Sequence, residues 1–133
     1  MRNRFMDWFG LSAPIVQAPI GSAANVALAR AVARGGGMGS LAMTWTERDD
    51  GMAKVAALKA ASVPYFFNFV LRFGTEKPAW YREAGLPAIT LSWGIDAGLI
   101  ADFKAAGART GVQVGSAAGA RAAIAAGADV VLV

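Results

Sequence analysis

Short apolar runs alternate with Ala-rich stretches along the whole chain. The runs Ile15–Ala18, Met38–Met43, Tyr65–Leu71, Ala88–Ser92, Gly111–Gly115 and Asp129–Val133 have the length and β-forming content of strands. Between them, Asn25–Arg34, Arg48–Ala61, Pro78–Ala84, Ala97–Ala106 and Ala118–Ala126 have the composition of helices. Glycine recurs where these helices should end, in "RGGGMG", "EAGLPA", "AAGART" and "AAGADV", each time just before an apolar run. A left-handed residue suits that position, and glycine adopts it without a steric penalty. The strands show little apolar/polar alternation, as expected when helices cover both faces of a parallel sheet. The pattern therefore predicts an α/β chain of parallel strands joined by right-handed helical crossovers.

Two architectures accommodate it: a doubly wound open sheet, or a (β/α)8 barrel, which needs eight strands and typically about 250 residues. The last residues, "GADVVLV", stop inside an apolar run. The expectation is an incomplete (β/α)8 TIM-type barrel, with about six strands and five helices in one partial domain over residues 1–133, cut at the sixth strand. A strand edge left bare in this way invites pairing, so a self-associating half-barrel without catalysis is a competing expectation.

Composition narrows the chemistry. Of 133 residues, 56% are hydrophobic and 17% charged, which suits a buried core. The net charge of +4 comes from scattered Lys and Arg and forms no basic stripe, so no nucleic-acid partner is expected. There is no Cys and no His. Thiolate and imidazole chemistry must then come from elsewhere, and neither a metal site nor a catalytic residue is assigned in this chain. Asp7 and Gly10 interrupt the opening segment where an export signal needs an apolar core, and no apolar run is long enough to span a bilayer. A cytoplasmic protein is expected.

The predicted strand ends hold the candidate site. The glycines of "GGGMGSLA" match a dinucleotide fingerprint only loosely, and they follow a helix instead of opening one, so capping and close packing account for them. "QAPIGSA", residues 17–23, lies at the end of the first predicted strand, where parallel α/β folds place ligands. Pro19 stiffens its backbone and Gly21 removes a side chain, so a flat ring could lie against the main chain; an ordinary loop is the alternative. Asn68 is the one polar side chain in "FFNFVL" and, if buried, needs partners, either a ligand or a structural network. Ser92, Trp93 and Gly94 close the fourth predicted strand, and Gln113, Gly115 and Ser116 the fifth. Glu47, Asp49 and Asp50 stand where a helix start favours negative charge. Trp45 and Trp93 would be pocket wall or core.

These features resemble the nitronate monooxygenase family, formerly the 2-nitropropane dioxygenases. The similar stretches are "FGL" then "PIVQAP", the Ala-rich first helix ending in glycines, "GSL", "FNF", and "ARAAIAAGADVVLV". The resemblance implies an FMN-dependent (β/α)8 barrel that oxidises small nitronates with oxygen to a carbonyl compound and nitrite. It places flavin contacts on Ala18, Pro19 and Ile20 through the main chain, on Asn68, and more weakly on Gln113. Ile20 stands where many members have Met. The family's catalytic His, in a Gly-Gly-His segment, has no counterpart here, nor do its phosphate-binding glycines. Related FMN-dependent enoyl-acyl-carrier-protein reductases share several of these motifs, and such an enzyme is the alternative.

Overall fold

The computed structural model describes residues 3–74 and 76–133. The chain divides into two compact units, Met1–Phe67 and Asn68–Val133.

The first unit opens with a helix the pattern did not predict, α1 (Arg4–Phe9). The Asn3 side chain accepts from Met6 N at its start, and Gly10, at φ 64°, turns the chain out of it. After α2 (Val26–Arg34), β1 (Gly39–Ala42) and α3 (Arg48–Ala60), the chain enters β2 (Tyr65–Val70), the neighbour of β1. Asn25 caps α2 by accepting from Leu28 N at 3.0 Å. As expected, Asp49 and Asp50 occupy the first turn of α3, and Asp50 also pairs with Lys54 at 2.6 Å. The core gathers Met6, Leu11, Ala29, Met38, Leu41, Leu58 and Phe67, all essentially sealed from solvent. Tyr65 is buried as well, and loss of hydration pushes its phenol up to about 12, so it stays neutral.

The strand expected at Ile15–Ala18 forms only a single parallel bridge, Val16 to Met38. Five of the six predicted strands therefore form. Pro14 and Pro19 flank the segment and cannot donate to a ladder, which leaves one short window for pairing.

In the second unit β2 finishes and the strand order runs β2, β3 (Ala88–Ser92), β4 (Arg109–Gln113), β5 (Val130–Leu132). β3 and β4 pair in parallel with Thr90 opposite Gly111, and β4 and β5 with Gly111 opposite Val130. The crossovers are α5 (Ala97–Ala105) and α6 (Ala117–Ala125), capped by Asp96 and Ser116. Ile89, Leu91, Ile100, Phe103, Val112 and Ala123 form the core. The helix exits at Gly107 and Gly127 carry the positive φ that the repeated glycines foretold. The helix expected at Pro78–Ala84 breaks into α4 (Glu76–Ala79) and a 3-10 turn at Arg82–Ala84. Trp80 and Tyr81 donate three residues back, to Lys77 and Pro78, in the tighter 3-10 manner.

Asp129, just before β5, ties the starts of β4 and β5 together. Its carboxylate accepts from Thr110 N at 2.9 Å, Thr110 Oγ1 at 3.2 Å and Arg109 at 3.2 Å, with Lys104 Nζ at 3.7 Å. Burial alone would raise its pKa, but the Thr110 N–H, the Lys104 charge, Arg109 and the Thr110 hydroxyl together hold it below the ordinary carboxylate value. A lowered folded pKa gives stability that is full above the unfolded value of about 3.9 and is lost as pH falls through the folded value. Urea midpoints should therefore drop on acidification below about pH 4. Asp129→Asn should cost about 1–3 kcal/mol at pH 7 and flatten that acid decline; an unchanged acid limb would remove Asp129 from the account.

Candidate functional site

In the first unit the chain leaves its one bridge through Gln17. Gln17 N donates to Met38 O at 2.9 Å, and the side-chain amide then closes on the Ser40 main chain, Nε2 donating to Ser40 O at 3.1 Å and Oε1 accepting from Ser40 N at 3.3 Å. A primary amide can present an N–H and a C=O side by side as a peptide group does, so Gln17 continues the pairing that Pro19 cannot. Gln17 was not among the expected site residues; its only signal was a polar residue directly before "APIG". With β1 satisfied in this way, the Ala18–Ile20 main chain is released from the ladder. Ile20 N donates to Ala18 O at 3.0 Å and Pro19 has no N–H, so within Ala18–Ile20 the N–H of Ala18 is the one given no main-chain acceptor among the described residues. Ile20 is 68% exposed, and a 3-10 turn at Gly21–Ala23 follows.

In the second unit Asn68 is 6% exposed and its amide is wired to β3. Nδ2 donates to Thr90 Oγ1 and Ser92 Oγ, both at 2.9 Å, with Thr90 O at 3.4 Å. A carbonyl can only accept, so the Thr90 main chain fixes which end of the amide is the nitrogen. The two N–H groups are consumed, and Oδ1 is the half that Thr90 and Ser92 do not use. Asn68 thus belongs to a structural network and still retains an acceptor; the two readings open in the sequence are compatible.

Parallel pairing of Thr90 with Gly111 puts Thr90, Ser92, Gly111 and Gln113 on one face, that of Asn68. Gln113 stands exposed at the end of β4, and no hydrogen bond joins its side chain to Asn68 or Ser92 among the described residues. Trp93 follows Ser92 at φ 56°, in the left-handed region, which costs a bulky residue about 1–2 kcal/mol. It is exposed, as is Trp45 in the first unit, so neither is core. The described residues hold no cluster of acidic side chains able to grip a metal, and no described helix is long and apolar enough to cross a membrane.

Parallel strands with helical crossovers, and polar side chains gathered at the strand ends, define a (β/α)-barrel-type chain. No family model matches it. Over 84 residues, 62% of the chain, it is 36% identical to a nitronate monooxygenase of Pseudomonas aeruginosa, the match covering 24% of that protein. FabK from Thermotoga maritima superposes with a TM-score of 0.90 at 26% identity, over 98% of this chain and 43% of FabK. A nitroalkane oxidase from Streptomyces ansochromogenes gives 0.85 at 26% identity, over 96% of this chain and 47% of the oxidase. The chain is thus similar in sequence to a nitronate monooxygenase and in fold to FabK and a nitroalkane oxidase. It spans less than half the length of each of these relatives.

Proposed function

We propose that this chain supplies flavin-ring contacts to an FMN-dependent oxidoreductase that oxidises alkyl nitronates with oxygen, giving a carbonyl compound and nitrite. The observation that supports it most is Asn68: a buried amide whose donors are locked by Thr90 and Ser92, leaving Oδ1 to accept from a ring N–H. The first unit, taken by itself, offers the Ala18 N–H and the Pro19–Ile20 backbone, stiff and clear of the ladder, as groups a flat heterocycle can use. Gln113 is a further polar contact on the face of Asn68. These residues fit a flavin ring by donor and acceptor type.

Bound flavin would supply the electron transfer from nitronate to oxygen. The residues of this chain are asked to bind and orient, since a nitronate arrives already deprotonated. A small-molecule substrate and oxygen are then the partners.

The test is the visible spectrum of the protein purified from its source, followed by anaerobic addition of ethyl nitronate. Flavin bands that bleach with the nitronate support the reading. Bands that bleach with NAD(P)H and ignore nitronate assign the protein to the enoyl-reductase alternative, and a colourless protein that takes up no FMN refutes both.

A further inference from the structure

Trp93 is an expensive residue to leave where it stands. It is 66% exposed, its backbone is left-handed, and its ring lies 6.1 Å from that of Phe73, itself 55% exposed. Both of its neighbours are closely packed. Upstream, Ser92 is buried and takes a hydrogen bond from Asn68 at 2.9 Å. Downstream, Gly94 sits so close to Leu71 that a Cβ there would lie 3.1 Å from Leu71 Cβ. At such a position glycine or asparagine would serve the backbone better. A tryptophan held in strain and left in water is a feature that packing does not ask for; strain of this kind gathers at ligand-contact positions.

The surroundings say what it would contact. Phe73 comes from the turn after β2 and Trp93 from the end of β3, so the tilted pair stands at the strand ends. We infer that Phe73 and Trp93 form an apolar platform that receives the hydrocarbon part of the substrate and sets a preference for longer alkyl chains, an inference that rests on the proposed oxidation of nitronates. Burying a chain against two rings brings a gain with each methylene, whereas a headgroup contact does not discriminate by length.

The experiment compares ethyl and hexyl nitronate in the flavin-loaded protein, wild type against Trp93→Gly and Phe73→Ala. Wild type is expected to favour hexyl nitronate in kcat/KM. Each variant should reduce that hexyl-to-ethyl ratio about tenfold or more, through KM. Trp93→Gly should also unfold at a higher urea concentration than wild type, because it relieves the backbone while removing the platform, a pairing of effects that general damage cannot produce. Phe73→Ala carries no such relief and checks the ratio independently. A ratio unchanged in both variants, with flavin and nitronate turnover retained, overturns the platform and leaves the proposed function standing. A wild type with no flavin or no nitronate turnover overturns the proposed function and the platform with it.

Discussion

Gly39→Val is expected to unfold the first unit. A Cβ at position 39 would lie 2.7 Å from both the Cβ and the carbonyl oxygen of Ala29 and 2.8 Å from its Cα. These are largely atoms of helix backbone, and Ala29 is fully buried in α2, so no flexible side chain can swing away. The helix would have to lift off β1. Gly39 N is meanwhile held to Pro64 O at 3.1 Å, which ties β1 to the residue entering β2. Gly39→Ala should already cost about 3 kcal/mol, and valine more, against a total stability of only about 5–15 kcal/mol for a domain. Gly115→Ala is the control: a Cβ there meets nothing within 4 Å, so its effect should stay within about 0.5 kcal/mol. Urea midpoints of the three variants decide the matter, and a Gly39→Ala protein as stable as wild type would falsify the close approach of α2 to β1.

The glycine cluster from which Gly39 comes shows how far sequence patterning reaches. "GGGMG" was legible as cap and close packing, and both roles are present: Gly36 takes φ 91° after α2, and Gly39 admits Ala29. The exits at Gly107 and Gly127 follow the same rule, because a left-handed residue in that place is a local requirement that local sequence can express. The Ile15–Ala18 segment carried the apolar residues of a strand, but pairing depends on which N–H groups meet a partner, and two prolines with Gln17 reduced it to one bridge. Pro78–Ala84 is an Ala-containing stretch in which Trp80 and Tyr81 nevertheless bond three residues back, in the 3-10 pattern. Composition windows average over such single donors.

At the candidate site, Asn68 was visible because a lone amide in an apolar run has to be satisfied. Its partners were not, since Thr90 and Ser92 lie more than twenty residues away and only the β3 register brings them to it. Ser92 was noted as a strand end without its bond, and Thr90 and Phe73 were passed over altogether. The backbone of Trp93 was equally hidden. It sits between the Gly94–Leu71 approach and the bond from Asn68 to Ser92, neither of which is local in sequence.

Asn68→Ala should therefore separate two roles that one residue carries. The structural cost is the loss of the bonds to Thr90 Oγ1 and Ser92 Oγ, which leaves the buried Ser92 hydroxyl without that partner, and it should amount to about 1–3 kcal/mol. The binding cost is the loss of Oδ1, and a site built to pair a ring N–H with a buried acceptor should lose FMN affinity about 100-fold or more. Ser92→Ala supplies the comparison. It removes one bond and keeps Oδ1 in place, with Thr90 still holding Nδ2, so it should lower stability by about 1 kcal/mol while retaining most of the flavin. Denaturation midpoints and FMN dissociation constants, measured on the flavin-competent protein, give the two quantities separately. Flavin affinity that falls steeply in Asn68→Ala and little in Ser92→Ala assigns the acceptor to the ring. Equal, small losses in both would reduce Asn68 to the strut between β2 and β3 that its hydrogen bonds already make it.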